Sequence, residues 1–527
     1  MSTQTLPVES KKASEIISYD PATGEEIGRV PFTSPGQVKD AVGRARAAQP
    51  AWASLPFRQR ARVILQARKL MLAERDDFAQ LVSRETGKPV TEALSMEIVP
   101  VLDAMHYFAH AAANLLRPQK IDIGQYGLMG RSSRIVFRPL GVIGIISPWN
   151  FPLATPADEV VMALMAGNAV VLKPSELTPL IALKLGDLFS RAGLPAGLLE
   201  IVTGDGSTGA ALIDARVDKI MFTGSVATGK RVAEAAAKYL TPVVLELGGK
   251  DPMIVLEDAD VTNAARGAVW GAFANAGQAC ASVERCYVQE SIAPRFIEQI
   301  VAETLKLKQG RGNEENVDIG AMSNERQLQI VIDHVKDAEQ RGARVLTGGR
   351  RGANHDGLFY EPTVLTEVDH DMTIMRDETF GPVLPVMTFK TEDEAIELAN
   401  DSVYGLTASV WTKNIARGQR IAERIEAGTV MVNEVVYTHG IAQTPWGGVK
   451  DSGYGRTHGR MGLLELVHPQ HVHVNRISFL PDLWWFRYSP KAAKLFGGLA
   501  SDFTTGSILK TSRLLPQMLR RLFGSRE

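Results

Sequence analysis

The sequence predicts an α/β protein with more than one domain, and three observations support this. From residue 142 onward, short apolar runs alternate with amphipathic, helix-like segments. The apolar runs lack polar alternation, which is typical of parallel strands covered by helices on both faces. The chain has 527 residues, whereas a single core stops growing at roughly 250–300 residues.

The first half of the chain predicts helices followed by one parallel sheet. Residues 36–115 carry leucine and alanine at helical spacing, and residues 132–139 alternate as a half-exposed strand does. Strands are then expected at Val142–Ile146, Ala169–Leu172, Leu199–Val202, Lys219–Phe222 and Val243–Leu245, with helices at Leu180–Ala192 and Gly229–Tyr239. Doubly wound sheets of this kind are typical of nucleotide-binding domains.

A second α/β pattern begins after Gly249. Strands are expected at Ile254–Val255, Cys286–Val288, Leu384–Phe389, Ala408–Trp411 and Thr429–Asn433, and helices at Ile292–Lys306 and Glu325–Gln340. The sequence contains no internal repeat and no low-complexity block.

Composition narrows the class of protein. The formal net charge of -1 gives no indication of nucleic-acid binding, and no apolar run reaches the length of a membrane-spanning helix. Residues 1–12 are polar and lack the apolar core of a secretory signal. The chain has only two cysteines, Cys280 and Cys286, which is not the pattern of a protein stabilised by disulfides. We therefore expect a cytoplasmic protein, and we predict no metal site.

The last fifty residues differ from the rest of the chain. Nine basic residues oppose three acidic ones, and aromatic residues cluster: Phe479, Trp484, Trp485, Phe486 and Tyr488. Ile508, Leu515, Met518, Leu519 and Leu522 are predicted to share one helical face, with Pro516 either kinking that helix or marking its first turn. A basic amphipathic helix near tryptophans suits a membrane surface. The alternative is packing against the same or a neighbouring protomer.

Cys280 is the first candidate for chemistry. A free cysteine is more often a small buried hydrophobe than a nucleophile. Alanines and a glycine surround Cys280, however, and leave room for a ligand beside the thiol. Cys286 lies in an apolar, strand-like run, where core packing is the better interpretation.

Two further side chains follow predicted strands. Glu246 ends a strand and precedes two glycines, and desolvation there would favour its neutral form and suit a general base. Asn150 lies in a loop between Pro148 and Pro152, where its amide could stabilise an oxyanion. Each has an ordinary structural alternative: a salt-bridged glutamate and an Asx turn.

Two segments could bind a nucleotide. In Phe222–Lys230, a strand leads through Gly224 and Ser225 to a helix start, where free amides and the helix dipole favour phosphate. Lys173 and Glu176 follow another strand and could bracket a ribose. The alternative for both segments is simply a capped helix start.

Taken in order, these segments resemble the aldehyde dehydrogenase superfamily. The resemblance runs from about Tyr19 to about Val474 and is carried by Pro148-Trp149-Asn150, Lys173-Pro174-Ser175-Glu176, Phe222-Thr223-Gly224-Ser225, Leu245-Glu246-Leu247-Gly248-Gly249-Lys250, Gly277-Gln278-Ala279-Cys280, Glu378-Thr379-Phe380-Gly381-Pro382 and Pro445-Trp446-Gly447-Gly448-Val449-Lys450-Asp451-Ser452-Gly453. Trp446 is the one departure, because the family usually has phenylalanine at that position.

The resemblance implies a role for each matching position. Cys280 corresponds to the nucleophile, Glu246 to the general base, and Asn150 with the Cys280 amide to the oxyanion hole. The implied cofactor contacts are Ile146, Trp149, Lys173, Ser175, Glu176, Gly224, Ser225, Gly229, Leu247, Glu378 and Phe380. The implied cofactor is NAD, with NADP as the alternative, because a glutamate such as Glu176 binds the ribose hydroxyls and repels a 2′-phosphate.

The resemblance also implies the domain order and the assembly. An NAD-binding domain of Rossmann type is expected over 1–119 and 141–248, a catalytic domain over 249–445, an oligomerisation arm over 120–140 and 446–475, and a basic extension over 476–527. Arg131–Leu140 and Leu463–Val474 match the family's bridging arms, so a homodimer or homotetramer is expected.

Substrate and product are expectations of the same kind. Relatives that transfer the acyl group commonly lack a glutamate at the position of Glu246. The presence of Glu246 therefore favours hydrolysis to a free acid. Relatives acting on succinate semialdehyde typically place an arginine shortly after Pro152, where this chain has Asp158 and Glu159 instead. We therefore expect an uncharged medium- or long-chain aldehyde, reached in the cytoplasm or at the inner face of a membrane. A succinate-semialdehyde dehydrogenase, which the Arg456–Gly459 segment resembles, and a non-catalytic protein on the same fold are the alternatives.

Overall fold

The structure is a computed structural model that describes residues 15–352 and 356–523. The expectation about residues 1–12 lies outside the described residues. The chain forms two compact units, one of residues 1–115 with 139–466 and one of residues 116–138 with 467–527. Within the described ranges, no helix is both long and apolar enough to cross a bilayer.

The first sheet of the larger unit has six strands. In spatial order they are Gly453–Tyr454, Val243–Glu246, Lys219–Thr223, Val142–Ile146, Ala169–Lys173 and Leu199–Ile201. All are parallel except Gly453–Tyr454, which runs antiparallel to Val243–Glu246. The predicted strands and their parallel arrangement agree with this sheet to within two residues at each end.

Helices cover this sheet, in agreement with the predicted helical N-terminal region. Their bounds are Pro35–Ser54, Phe57–Ala73, Arg75–Thr86, Val99–Leu115, Ala154–Ala166, Pro179–Arg191, Gly206–Asp214 and Val226–Ala237. The last begins three residues before the predicted Gly229, because the Ser225 hydroxyl accepts a hydrogen bond from the Thr228 amide and caps the helix there. A strand pair, Glu15–Tyr19 with Glu26–Pro31, and two short helical turns, Val90–Glu92 and Ala93–Ile98, complete this half.

The second sheet of the larger unit has seven strands. In spatial order they are Arg344–Thr347, Thr363–Thr366, Val383–Phe389, Val283–Gln289, Asp251–Val255, Thr407–Trp411 and Thr429–Val432. All are parallel except the edge strand Arg344–Thr347. The helices between them are Val261–Phe273, Ala293–Thr304, Glu325–Gln340, Thr373–Arg376, Glu392–Asn400 and Ile415–Ala422. The helix Gly459–Leu464 follows the last strand, and short 3₁₀ turns lie at Ala274–Gly277, Glu290–Ile292, Tyr437–Gly440 and Lys450–Ser452. The predicted α/β class is thereby confirmed.

The smaller unit contains a three-stranded sheet and a helical extension. The strands are Val467–Asn475, Arg131–Pro139 and Gln119–Ile121 in spatial order, and a short helix lies at Gln125–Leu128. The extension forms helices at Pro490–Asp502, Ile508–Ser512 and Leu515–Phe523. Leu483, Leu495, Leu499, Leu514 and Met518 form a separate small core.

The extension differs from the single helical face expected there. One helix ends at Ser512 and the next begins at Leu515, and Pro516 lies in the first turn of this last helix. Met518 is buried in the small core, whereas Ile508, Leu515 and Leu519 are exposed. Only part of the predicted apolar face is therefore buried, because the small core is not large enough to cover both helices.

The segment 446–475, predicted as part of an arm, is divided between the two units at Leu466. Residues 446–466 lie in the larger unit, where Gly453 and Tyr454 pair with Glu246 and Leu245. Residues 467–475 lie in the smaller unit as a sheet strand.

Candidate active site

The larger unit contains a cavity of about 1200 Å³ at the carboxyl ends of its strands. Cys280, Glu246 and Asn150 all line it, and so do Glu378 and Phe380. The crevice outside the carboxyl ends of parallel strands is where α/β proteins bind ligands, since the loops that follow the strands converge there. Residues that are far apart in the sequence therefore meet in one place.

Cys280 follows a strained loop. Asn275, Ala276 and Gly277 all have positive φ angles of 53–71°, a conformation that disfavours alanine in particular. A β-carbon on Gly277 would lie 2.1 Å from the carbonyl oxygen of Gly381, so only glycine fits at residue 277. Strain of this kind persists where the surrounding structure determines the backbone, as it does before this thiol.

The two cysteines differ as expected. Cys286 is fully buried in the strand Val283–Gln289, whereas Cys280 is partly exposed to the cavity. Burial, followed by the carboxylates of Asp251 and Glu246, raises the pKa of the Cys280 thiol above its usual range. The thiol is therefore protonated at neutral pH in the free protein and needs a base or a nearby cation to ionise.

Asn150 lies in the loop that follows strand Val142–Ile146. Its side-chain nitrogen donates to the backbone oxygen of Gln278, two residues before the nucleophile candidate, at 2.9 Å. Asn275 donates to the same Gln278 oxygen and to the backbone oxygen of Asn150, at 2.9 and 3.1 Å. A primary amide has two N–H donors, so one remains for another acceptor.

Glu246 ends strand Val243–Glu246, as predicted. Both carboxylate oxygens are buried and have no hydrogen-bond partner within the described part of the chain. Burial, and then the neighbouring Glu159, raise the pKa of Glu246 well above its usual value, while Arg456 opposes this shift. A desolvated carboxylate without a fixed partner is well suited to take a proton from a water molecule.

Trp149 and Phe380 bring two loops together over the cavity. Their rings meet edge to face, with centroids 5.5 Å apart. Phe380 has a positive φ of 51°, and Glu284 holds its backbone, since the carboxylate accepts from the amides of Thr379 and Phe380 at 2.8 and 2.9 Å. Glu378 accepts from the Gly249 amide at 3.1 Å, and burial raises its pKa to about 8.

The residues predicted for the nucleotide line the other end of the cavity. Ile146, Lys173, Ser175, Glu176, Gly224, Ser225 and Leu247 all line the cavity. Gly229 lies behind them, where a β-carbon would meet Leu247 at 2.6 Å. The exposed carboxylate of Glu176 lies 3.7 Å from the buried Lys173 ammonium.

These residues fit a dinucleotide. Thr223 and Ser147 have buried hydroxyl oxygens with no partner in the described ranges, and both residues line the cavity. Gly224 immediately precedes the capped start of the helix Val226–Ala237. The amides of the first turn of such a helix are suited to bind a phosphate group. The cofactor itself would supply the hydride acceptor.

The remaining cavity wall is mostly apolar. It is formed by Met96, Val99, Pro100, Phe151, Trp270, Val436, Tyr437, Gly440 and Trp446. Its titratable residues are Asp158, Glu159, His439 and His458, and Asp158 lies 3.0 Å from the His458 ring nitrogen. Among the described lining residues the cations are Lys173 at the end of a strand of the first sheet, Arg231 on the helix Val226–Ala237 and Arg326 on the helix Glu325–Gln340.

The sequence interpretation missed the charged residues behind these loops. Lys88, Glu97, Lys250 and Glu284 are buried ion-pair partners that contact the loops of Asn150 and Phe380. The sequence shows these residues only as charged side chains within otherwise apolar segments. Such a pattern does not indicate whether a charged side chain is buried or exposed.

Comparison with known proteins places the chain in one family. The profile of the aldehyde dehydrogenase family matches residues 8–472. The chain belongs to the aldehyde dehydrogenase family, and it is accordingly an oxidoreductase of the NAD(P)-dependent class. The resemblance inferred from the motifs is confirmed.

Individual relatives differ in name and in extent. The chain is 41% identical over 507 residues to the 4,4'-diapolycopene aldehyde oxidase of a Methylomonas species, covering 96% of this chain and 94% of that protein. It is 42% identical over 456 residues to a putative NADP(+) succinate-semialdehyde dehydrogenase of Mycobacterium bovis, covering 86% and 88%. An NAD-dependent aldehyde dehydrogenase structure from Sinorhizobium meliloti aligns with a TM-score of 0.86 at 38% identity, covering 92% and 95%.

Proposed function

We propose that the protein oxidises an uncharged medium- or long-chain aldehyde to the carboxylic acid, with NAD as the preferred acceptor. The observation that carries this proposal is the convergence of Cys280, Glu246 and Asn150 on one cavity whose remaining wall is apolar. The mechanism assigns one task to each of these residues.

The first step is attack by Cys280. The thiol proton passes to solvent, the sulfur forms a bond to the aldehyde carbon, and the carbonyl oxygen becomes an oxyanion. The free Asn150 N–H and the Cys280 backbone N–H donate to that oxygen. A donor of this kind typically contributes about 2.7–4 kcal/mol to transition-state stability.

The second step leaves a thioester on Cys280. The C–H bond of the tetrahedral adduct breaks and its electron pair departs as hydride, for which a nicotinamide held in the cavity would supply the acceptor. Trp149, Glu378 and Phe380 line the cavity where that ring would lie. Their task is to hold the two reacting carbons in line and to exclude water.

Glu246 acts in the third step. It takes a proton from water, the hydroxide oxygen attacks the thioester carbon, and the C–S bond breaks to release the acid and regenerate the Cys280 sulfur. Glu246 has no hydrogen-bond partner to hold it elsewhere within the described ranges. Hydrolysis, rather than acyl transfer to a carrier thiol, is therefore the proposed outcome.

The apolar wall supports an uncharged substrate. A substrate carboxylate buried there would lose its hydration and meet the carboxyl groups of Asp158 and Glu159. A panel of aldehydes scored by kcat/KM tests this. Hexanal and longer chains are expected to exceed succinate semialdehyde, and the reverse order would contradict the proposal.

A succinate-semialdehyde dehydrogenase is the second candidate. The putative Mycobacterium bovis relative carries that name at 42% identity, which is the observation in its favour. The relative named 4,4'-diapolycopene aldehyde oxidase aligns over more of this chain and favours an uncharged, apolar aldehyde as the substrate. A non-catalytic role is disfavoured, because Cys280, Glu246 and Asn150 are all present.

We further propose that the extension contacts an anionic membrane surface. Leu515, Leu519 and Phe523 recur every four residues on the last helix and are 44–67% exposed, so they form one apolar stripe. The exposed Lys491, Lys494, Lys510, Arg513 and Arg520 of the extension have no ion-pair partner among the described residues, so the unit that carries this stripe also presents unpaired positive charge. Apolar insertion with basic flanks is the pattern of interfacial helices.

Vesicle co-sedimentation tests the membrane proposal. The full chain is expected to pellet with vesicles containing phosphatidylglycerol, and Leu519→Glu with Phe523→Glu is expected to abolish pelleting. Leu240→Glu is the control, because Leu240 is 90% exposed in the larger unit. Equal pelleting of all three proteins would contradict the proposal.

A homodimer or homotetramer is proposed from the smaller unit. Strand Val467–Asn475 lies at the edge of its sheet and offers a nine-residue backbone edge to a second copy. Light scattering after size exclusion is expected to give a dimer or tetramer mass. Val472→Pro is expected to lower that mass, and an unchanged mass would contradict this interface.

A further inference from the structure

Two buried ion pairs lie behind the reacting centre. The Lys88 ammonium lies 2.6 Å from the Glu97 carboxylate, and both side chains are fully buried. The Lys250 ammonium lies 2.6 Å from Glu284 in the same way, with 0% and 4% exposure. Buried ion pairs contribute little net stability, since desolvation offsets their attraction. Their positions must therefore be explained by what else they contact.

The first pair surrounds the loop of Asn150. Lys88 donates to the backbone oxygen of Asn150 at 2.8 Å. The second oxygen of Glu97 accepts from the amides of Leu153 and Ala154 at 2.9 and 3.0 Å. The loop is thus held on both sides by one ion pair, and Asn150 lies at one end of the held segment.

The second pair holds the loop of Phe380 in the same manner. Glu284 accepts from the amides of Thr379 and Phe380, and Lys250 donates to the Thr379 hydroxyl at 3.1 Å. In both pairs the glutamate accepts from two successive backbone amides, while the lysine neutralises the carboxylate and binds the same loop. The two loops meet at the Trp149–Phe380 ring contact.

Charge-assisted hydrogen bonds to backbone amides are shorter and stronger than neutral ones. A loop held by three such bonds loses little positional freedom when substrate or cofactor binds. Reactions of this type are sensitive to placement, because a displacement of about 1 Å can lower the rate by about 100-fold. Fixed loops on both sides of the thiol meet that requirement.

We propose that Lys88–Glu97 and Lys250–Glu284 are two positioning pairs, the first fixing the oxyanion donor Asn150 and the second fixing the nicotinamide-side loop at Phe380. This inference rests on the proposed roles of Asn150 and Phe380. Neither pair touches the reacting atoms, so each acts through the loop that it holds.

The first experiment measures the pre-steady-state burst of NADH for Lys88→Met, Asn150→Ala and the double variant. Lys88→Met is expected to slow the burst by about 10- to 100-fold and to leave the Kd of NAD unchanged. In the Asn150→Ala background the same substitution is expected to have no further effect, because residues acting through one contact are not additive.

A variant with a neutral version of the first pair is the control for misfolding. Lys88→Met combined with Glu97→Gln removes both charges of the pair, and the glutamine oxygen can still accept from the loop amides. This variant is expected to fold, bind NAD and show the same slow burst as Lys88→Met.

The second experiment measures the Kd of NAD by fluorescence titration. Glu284→Gln is expected to weaken NAD binding by about tenfold, since the loop must then be ordered on binding. Lys219→Met is the matched control for both experiments, because it removes another buried lysine, the partner of Glu465, at the opposite end of a strand of the first sheet. It is expected to change neither the burst nor the Kd.

The outcomes separate the inference from the proposed function. If Asn150→Ala leaves the burst unchanged, the proposed oxyanion role fails. If Asn150→Ala slows the burst but the neutral double variant does not, the positioning role of Lys88–Glu97 is wrong. Additive effects of Lys88→Met and Asn150→Ala, or unchanged NAD affinity in Glu284→Gln, would also overturn the inference for the corresponding pair.

Discussion

The α-carbon of Gly277 lies against the backbone carbonyl of Gly381, so closely that a β-carbon at residue 277 would stand 2.1 Å from that oxygen. This contact joins the loop before Cys280 to the loop that carries Glu378 and Phe380. The spacing between the loop of the nucleophile candidate and the loop of Glu378 and Phe380 therefore depends in part on this backbone contact. The contact can be tested directly.

Gly277→Ala is expected to destabilise the protein and slow turnover. The positive φ of 71° costs a residue with a β-carbon about 1–2 kcal/mol, and the clash with Gly381 must also be relieved. Thermal unfolding and kcat are the measurements. Gly193→Ala is the control, because Gly193 has a φ of 88° with open space around it. An equal effect of the two substitutions would show that the contact contributes nothing.

Cys280→Ala is expected to abolish turnover and leave NAD binding intact. The sulfur is the proposed attacking atom, whereas the nucleotide end of the cavity is formed by other residues. Steady-state kinetics and titration with NAD check both parts. Cys286→Ala is the control, since this cysteine is buried in a strand away from the cavity. Steady turnover by Cys280→Ala would refute the assigned nucleophile.

Glu246→Gln is expected to form one equivalent of NADH and then stall. Glutamine cannot take a proton from water, and loss of a general base typically lowers the rate by about 10²–10⁴-fold. Stopped-flow absorbance at the NADH band separates the burst from the later steady rate. A variant that loses the burst and the steady rate together would contradict a role confined to hydrolysis.

The hydrolytic step is expected to accelerate as the pH rises. A carboxylate acts as a base only when deprotonated, and burial raises the pKa of Glu246 well above its usual value. Its basic form therefore becomes populated at higher pH than for an ordinary glutamate, and the rate levels off above that pKa. In Glu246→Gln the slow residual hydrolysis should lack this rise. A steady rate that falls between pH 6 and 8 would contradict the assignment.

Glu176→Ser is expected to shift cofactor preference toward NADP. The exposed Glu176 carboxylate lies beside Lys173, so a 2′-phosphate bound there would meet a negative charge that serine removes. The ratio of kcat/KM for NAD to that for NADP is the measurement. Glu200→Ser is the control, because Glu200 pairs with Arg44 and does not line the cavity. An unchanged ratio in Glu176→Ser would assign the preference to other residues.

Much of the site could be predicted because its residues lie where buried strands end. Glu246 follows a strand that reads as an apolar run, and a parallel sheet gathers such ends along one edge. The divided helical face of the extension could not be predicted. Helical periodicity describes which residues share a face, but whether Met518 or Leu519 is buried depends on the size of the core that covers it.

The sequence by itself determined the α/β class and the family, and it predicted the candidate reactive groups, because strand periodicity and spaced motifs are local properties of the chain. Only the tertiary structure decided which groups support them. Lys88 and Glu97 are ordinary charged residues in the sequence, yet folding buries them 2.6 Å apart behind Asn150. Burial and pairing arise from contacts between distant segments, and these contacts determine whether a charge is solvated or holds a catalytic loop.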